Sequence, residues 1–541
     1  MNPENKNFIL AIAFSFLILV LYPVYLKWVS PPHPPAAQES VQSQAQGITQ
    51  TTPQSAANSV LKALHLENEK FYPFSNNHFN VEFTDHGGAI SKLVLTKWGK
   101  RHASKEAVFV DRSETGSASF LITLPGQGVD FENKIFTLEK LDAGTGEIIF
   151  SAEEAGRWRI RKKYKFDSEK PSFWLDTEIE NLSAAEQVSP LQISSHFIVG
   201  SDPMNARVAQ AFISLKDKLA AVPFQKIRKK PSIIEGQVSW EALTRHFFVM
   251  IVHPDAPAVL FKTTAEGHFY QNSLQFEPLP IGPGQKIERR FFVYAGPNYY
   301  QDLKSIGQGF EQILSQGFFG IFKLGLLLAL QWAYRLTNNY GWAIILITIA
   351  IKLLFSPLTH ISFESMKKMQ ALQPKLKSLQ EQHKGDQAKL SKEMMELYKK
   401  NKVNPMSGCL PMLLQIPVFI AFYQVLAQTA EFQGEPFIWW IRDLSEPDKA
   451  WVLPFSLPLI GSFVNILPIL MIGSMIWQQR LTPQTAGSSE QQKMMMFMPV
   501  IFGFIFYSLP SGLVLYWFVN NVLSILHQLF VKGKALPHHE E

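Results

Sequence analysis

The sequence predicts a polytopic α-helical membrane protein with six transmembrane helices, a large all-β domain on one side of the bilayer and a helical hairpin on the other. Three observations predict it. Six apolar windows, 8–26, 340–358, 409–429, 457–477, 494–509 and 512–531, hold a single formal charge, Lys352, in a chain that is 18% charged. Such runs read as bilayer-crossing helices and exclude a soluble cytoplasmic enzyme. Between Val60 and Pro297 the pattern changes to short alternating runs rich in aromatic and β-branched residues, separated by turn residues. Finally, residues 359–408 carry ten lysines against five acids, which marks a cytoplasmic loop. The mean hydropathy of zero averages over these populations.

Taken in order, residues 1–29 read as a retained N-terminal anchor, because the apolar run exceeds a signal h-region and is followed by Lys27, Trp28 and four prolines rather than by a cleavage site. Residues 30–59, rich in Pro, Gln, Ser, Ala and Thr, cannot bury a core and read as a disordered linker. Residues 60–316 form the β domain. Its candidate strands include 80–84 and 90–95 about an Asp85-His86-Gly87-Gly88 turn, then 157–166, 172–179, 246–252, 259–262 and 286–294, the pattern of a large sandwich. A helical period over 299–316 closes it. The only cysteine, Cys409, excludes an intrachain disulfide, so burial alone must hold this domain.

Residues 317–339 are apolar but carry Lys323 and Arg335; a crossing here would put the lysine-rich loop outside, so the segment reads as an amphipathic helix in the outer interface. Residues 340–531 form the helical core, with a cytoplasmic hairpin at 360–402 and a cytoplasmic tail at 532–541. In the hairpin, Met366, Met369, Leu372, Leu376 and Leu379, then Leu390, Met394, Leu397 and Tyr398, recur at helical spacing on either side of a break at 383–386. They can seal on each other. The exposed bases Lys367, Lys368, Lys375, Lys377, Lys399 and Lys400 are candidates for contact with ribosomal RNA, anionic lipid or a targeting partner. The loop 430–456, with five acids and two bases, falls outside, and both termini fall in the cytoplasm.

Chemistry centres on Lys352. A charge within a membrane helix costs about 2.5–3.5 kcal/mol and faces a wet or protein-lined cavity, or snorkels to the headgroups from about 9 Å away. Thr348, Lys352 and Ser356 form one stripe at steps of four. Gln415, Gln424 and Gln428, Ser462 and Asn465, and Tyr516, Asn520, Ser524 and His527 add uncharged polar groups from other windows, so a hydrated groove is expected among the helices. The fifth window, 16 residues, spans only about 24 Å. It must thin the bilayer, be covered by protein or extend through Gln491–Lys493. No phosphate loop, zinc motif, nucleophile elbow or CxxC pair occurs, so no cofactor, metal or catalytic residue is expected.

The stretches 340–345 (YGWAII) and 352–359 (KLLFSPLT), 402–405 (KVNP), 408–411 (GCLP), 415–419 (QIPVF), 498–502 (MPVIF) and 510–517 (PSGLVLYW) resemble, in order, the signature of the YidC/Oxa/Alb family of membrane protein insertases. The N-terminal anchor and β domain resemble its Gram-negative bacterial form. The resemblance implies a five-helix insertase core with a hydrophilic groove open to cytoplasm and lipid, a periplasmic β-supersandwich, and a cytoplasmic hairpin needed for activity. It implies no enzyme activity, a place in the bacterial inner membrane, and as partners nascent membrane proteins, the Sec translocon, the ribosome and the signal recognition pathway.

On this resemblance the groove comprises Lys352, Thr348, Ser356, Gln415, Asn465, Tyr516 and Asn520. The substrate slide comprises Ile416, Phe419, Tyr423, Val500 and Ile505. The groove charge of the family is commonly arginine; lysine keeps the charge without the bidentate fork. Two other classes stay open on residues alone: a secondary transporter or channel, and a membrane-anchored carbohydrate-binding protein using Asp85, His86 and Trp98. Against the first stand the lack of a clear inverted repeat and of a second intramembrane charge.

Overall fold

The computed structural model describes residues 69–96, 98, 107–154, 156–216, 218–383, 386–401, 403, 410–457, 461–481 and 489–533. The expected anchor 1–29, the linker 30–59, Cys409 and tail residues 534–541 lie outside them. The chain divides into two compact units, one ending at Asn298 and one beginning at Tyr299.

The first unit is all-β apart from short helices. β1 (Phe71–Ser75), β2 (Phe79–Thr84), β3 (Ala89–Leu95) and β4 (Ala107–Asp111) form an antiparallel sheet in chain order. Fifteen more strands follow: β5 (Leu121–Thr123), β6 (Thr137–Asp142), β7 (Glu147–Glu154), β8 (Trp158–Phe166), β9 (Ser172–Asn181), β10 (Gln187–Ser189), β11 (Gln192–Ile198), β12 (Gln210–Leu215), β13 (Lys218–Pro223), β14 (Ser232–Arg245), β15 (Phe248–Pro254), β16 (Ala258–Glu266), β17 (Phe269–Gln275), β18 (Leu279–Ile281) and β19 (Lys286–Pro297). Thirteen of them make one sheet in the order β5-β11-β17-β16-β14-β15-β19-β9-β8-β7-β6, with β12 and β13 added beside β14; β10 pairs β18. The alternation read from the sequence is the burial alternation of the strands: in β8, Trp158, Ile160, Lys162, Tyr164 and Phe166 point inward.

Aromatic side chains join the two sheets. The Phe166 ring stacks on Phe173 at 4.8 Å and meets Phe74, Phe79 and Phe83 of the small sheet. The β2–β3 turn needs left-handed backbone at Gly87 and Gly88 (φ +68° and +52°). Its carbonyls are bound from below: Lys162 Nζ donates to Gly87 O (2.9 Å) and Phe120 O (2.7 Å), and Tyr164 OH to Gly88 O (3.0 Å). Asp85 and His86 pair at 3.0 Å within this turn, and Trp98 packs edge-on against Phe248. These three residues serve turn and packing.

The helical stretch expected over 299–316 belongs to the second unit and is split in two. α1 (Tyr300–Ile306) ends at Gly307, and a 3-10 turn (Phe310–Ser315) follows left-handed Gly309. Next come α2 (Gly320–Thr337), α3 (Tyr340–Ala371), α4 (Gln373–Gln382), α5 (Gln387–Lys400), α6 (Leu410–Gln428), a hairpin of β20 (Trp451–Leu457) and β21 (Gly461–Val464), α7 (Ile466–Leu481), α8 (Ser489–Phe506) and α9 (Ser511–Gly533). Among the described residues two spans, Tyr340–Ala371 and Ser511–Phe530, are long and apolar enough to cross a bilayer, with shorter apolar helices at Leu413–Gln428 and Met496–Phe506.

Three boundaries differ from the sequence expectation. α3 does not stop at Leu358 but runs through Pro357 into the expected hairpin, whose first arm is the end of α3 followed by α4. The window 457–477 is not one helix: Trp451–Leu457 and Gly461–Val464 pair as strands and the helix begins at Ile466, where Asp448 caps its first amides. α8 begins at Ser489, so its 18 residues reach about 27 Å and most of the expected length mismatch disappears.

Burial pushes the Glu241 carboxyl up to about 8 although Asn272 (2.7 Å) and Ser195 (3.4 Å) donate to it. The folded chain therefore holds a proton that the unfolded chain releases above about 4.5, and this contribution to stability, full below that pH, is lost as pH rises through 8. His196, pushed down to about 4, and Lys162, down to about 7, act with the opposite sign in neighbouring windows. Glu241→Gln is thus expected to gain denaturation midpoint relative to wild type between pH 5 and pH 8. A difference that stays constant with pH refutes a protonated Glu241.

Candidate functional site

The site is assembled from one end of the helical unit. The loop after α6 satisfies helix N-termini that have no intrahelical partner. Asp448 Oδ2 accepts from Ile466 N and Leu467 N at 2.9 Å each and from Trp440 Nε1 at 2.8 Å, capping α7. At α9, Ser511 N and Gly512 N donate to Glu446 O and Leu444 O (2.7 and 2.9 Å). At α3, Asn339 Oδ1 accepts from Gly341 N and Trp342 N while its amide donates to Pro436 O and Phe437 O. The starts of α3, α7 and α9 thus lie at one end with the end of α6.

α2 meets the same end. Lys323 Nζ donates to Gln428 Oε1 (3.1 Å), Gln331 Nε2 to Glu431 Oε1 (3.2 Å), and Tyr334 stacks on Tyr340 at 4.2 Å. These contacts span about 16 Å of α2, yet each falls at an end of α3 or α6, so α2 crosses the helix ends. Glu431 Oε1 also accepts Tyr300 N at 2.8 Å, and burial raises this carboxyl.

Because α3 and α9 start together, Lys352 and Ser524 lie at matching depths, about 18 and 20 Å from that end. There Lys352 Nζ donates to Ser524 Oγ (2.6 Å) and Asn520 Oδ1 (3.3 Å), and Ser524 Oγ donates to Asn520 O (2.7 Å). The ammonium points into the bundle between neighbouring helices. It has three protons and two partners among the described residues. One turn nearer the loop end, Tyr516 is buried, accepts from Gln415 Nε2 (3.2 Å) and stacks on Phe422 at 4.2 Å. Lys352, Asn520, Tyr516 and Gln415 therefore form a track along α9 between α3 and α6.

The other expected groove residues are placed differently. Thr348 is buried and spends its hydroxyl proton on Ile344 O (2.6 Å). Ser356, half-buried, lies one turn beyond Lys352. Asn465 is not in the track: its Oδ1 accepts Lys449 N and its amide donates to Tyr507 O (2.9 and 2.7 Å) just before α7. The sequence grouped it with the groove because the helix was counted from Leu457. Sequence reasoning missed a second helix bridge, Asn521 Nδ2 to Ser474 Oγ at 3.1 Å, for which the small polar Ser474 in an apolar helix was the available signal.

On the expected slide, Ile416, Phe419 and Tyr423 are half-buried, with the Phe419 ring 5.5 Å from Phe506 and 5.2 Å from Trp517. Val500 and Ile505 are exposed on α8. Leu353, Leu354, Ile469, Leu470, Phe504 and Phe530 are also exposed, an apolar surface suited to lipid rather than water. In the hairpin, Met369, Leu372, Leu376, Tyr398 and Val403 form a core backed by Met394 and Leu397, and Lys367, Lys368, Lys375, Lys377, Lys399 and Lys400 are exposed. Lys368 pairs with Glu364.

A β-rich unit followed by apolar-surfaced helices that hold a half-buried lysine against uncharged polar groups is the build of an integral membrane protein. Residues 332–537 match the family described as 60Kd inner membrane protein, and residues 72–328 match the YidC periplasmic domain. The membrane protein insertase YidC of Syntrophus aciditrophicus is 32% identical over 98% of this chain and 100% of its own. That of Syntrophobacter fumaroxidans is 37% identical over 72% of this chain and 71% of its own. A crystal structure of an active YidC insertase with its first transmembrane domain resolved aligns at 20% identity, TM-score 0.39, over 89% of this chain and 98% of that one. The chain belongs to the YidC family of membrane protein insertases. It is an inner-membrane protein with a periplasmic domain and is not an enzyme.

Asn520→Ala with Ser524→Ala leaves the Lys352 ammonium without either oxygen, and is expected to lower the thermal midpoint in detergent. The same pair in a Lys352→Met background is expected to cost less, with a coupling of about 1–2 kcal/mol. Additive losses would mean that these contacts carry no energy.

Proposed function

We propose that this insertase captures the acidic or polar outer tail of a nascent membrane protein at Lys352 and releases the following apolar segment sideways into lipid. The observation that carries the reading is the Lys352 ammonium, turned into the bundle by Asn520 and Ser524 rather than along α3 towards headgroups. At an effective dielectric of about 20, a carboxylate at about 4 Å from it gains about 4 kcal/mol, enough for reversible capture. The track through Tyr516 and Gln415 shortens the passage of a polar tail through hydrocarbon. Ile416, Phe419 and Tyr423 with Val500 and Ile505 supply an apolar path between α6 and α8, and the membrane potential draws the acidic tail outward. Thr348 and Ser356 flank the charge, and Asn465 holds the start of α7 that borders the path. The protein also acts as a folding chaperone for its substrates.

In this reading six helices cross the membrane, 8–26 and those built on α3, α6, α7, α8 and α9, while α2 lies in the outer interface. The β domain is periplasmic; both termini and the α4–α5 hairpin are cytoplasmic. The exposed hairpin lysines meet the ribosome, the signal recognition pathway or anionic lipid, and substrates arrive alone or through the Sec translocon.

The test is insertion of a single-spanning substrate with an acidic tail into proteoliposomes. Lys352→Arg is expected to retain insertion, and Lys352→Ala and Lys352→Glu to lose about tenfold or more, since each 1.4 kcal/mol is a factor of ten. Equal insertion by all forms would remove Lys352 from the mechanism. Replacing the six hairpin lysines by glutamine is expected to weaken binding to anionic vesicles or ribosomes at low salt, with the difference vanishing at high salt. A loss independent of salt would point to the hairpin fold instead.

A further inference from the structure

The hairpin of β20 and β21 has no role in capture or release. Residues 451–464 contain no charge, and Trp451, Val452 and Phe455 are 67%, 70% and 58% exposed. Trp451 and Val452 are successive strand residues, so they point to opposite faces, and both faces are bare. Among the described residues the two strands pair only with each other. An isolated two-stranded hairpin is marginal in water, and an apolar one exposing both faces is worse. Tyr507 OH donates to Phe463 O (2.8 Å), but no further strand covers either edge among the described residues, which excludes the hairpin equally from the hydrocarbon centre, where backbone groups find no partner. Only the boundary between headgroups and acyl chains satisfies both conditions.

The neighbouring helix supplies the reason for a structure there. α7 has 16 residues, about 24 Å, against a hydrocarbon core of about 30 Å, and a single residue, Asn465, separates its first turn from the hairpin. The hairpin thus sits where α7 falls short. Before it, Lys449 pairs with Glu446 at 2.6 Å, a charged pair suited to the headgroup level, and Trp439, 84% exposed, stacks on Trp440. Tryptophans at such a level form the interfacial belt of membrane proteins.

We propose that the hairpin of β20 and β21 is an interfacial anchor whose partner is the phospholipid bilayer itself, with Trp451, Val452 and Phe455 seated at the head of the acyl chains beside α7. The anchor completes the short helix and fixes the depth of the loop that caps α3, α7 and α9. It concerns seating in the bilayer and stands apart from capture at Lys352.

The test uses the full chain with Cys409→Ser, bearing Val452→Cys or Phe455→Cys labelled with an environment-sensitive fluorophore, in phosphatidylethanolamine–phosphatidylglycerol vesicles. Both positions are exposed, so the label disturbs no packing. Ile233→Cys in the β domain, also exposed, is the water-facing reference. The expected result at 452 and 455 is strong loss of fluorescence with nitroxide lipids labelled near the headgroup, less with nitroxide near the methyl end, and little with iodide; position 233 shows the reverse. Quenching by iodide at 452 and 455 equal to that at 233 overturns the anchor. Protection from both iodide and nitroxide also overturns it, because protein, a second copy or another chain, would then cover the hairpin.

Discussion

Backbone N–H groups at a helix start have no partner within the helix, and a bilayer offers none. In the helical unit this constraint is met by one loop. Asp448 caps α7, the carbonyls of Leu444 and Glu446 take the first amides of α9, and the carbonyls of Pro436 and Phe437 hold Asn339, the cap of α3. Fixing three starts at one level fixes the register of everything below. Lys352, in the thirteenth position of α3, then meets Ser524, in the fourteenth of α9, with no adjustment in either helix. Close approach depends on the same end: Gly341 leaves no room for a Cβ against the Phe437 ring.

The loop end is also where polarity is spent on structure. Lys323 with Gln428 and Gln331 with Glu431 tie α2 to the end of α6 and the loop after it, and Glu431 also takes Tyr300 N of α1. Tyr340 packs between Tyr334 and Phe432. Polar groups there bond to one another, whereas the Lys352 ammonium has two partners for its three protons among the described residues.

Much of this was legible in the sequence because each feature had a period or a charge count. Alternation over 157–166 marked a strand, and the methionine and leucine spacing of 366–379 and 390–398 marked the faces that close the hairpin. Lys352 stood out as the single charge of its windows. The failures share a cause. Hydropathy measures what a residue avoids and says little about what its backbone does, so the uncharged stretch from Leu457 read as helix although Leu457 and Gly461–Val464 are paired as strands. Asn465 was misassigned with it. Lys162, buried under the Gly87 turn, was invisible because an inward lysine on a strand breaks the alternation, and only the two carbonyls it binds explain it.

The choice of lysine at position 352 follows from the partners the fold provides. A guanidinium presents a planar fork suited to paired oxygens in one plane, as in a carboxylate. Here the resident acceptors are one amide oxygen and one hydroxyl, four residues apart on α9 and therefore stacked along a helix rather than set side by side. A compact ammonium with three rotatable donors satisfies both and keeps a third donor. An arginine placed there would reach further and hold its own orientation, while lysine takes its orientation from Asn520 and Ser524. The charge on α3 and the hydroxyl and amide on α9 are thus one device, and each is positioned by the cap that starts its helix.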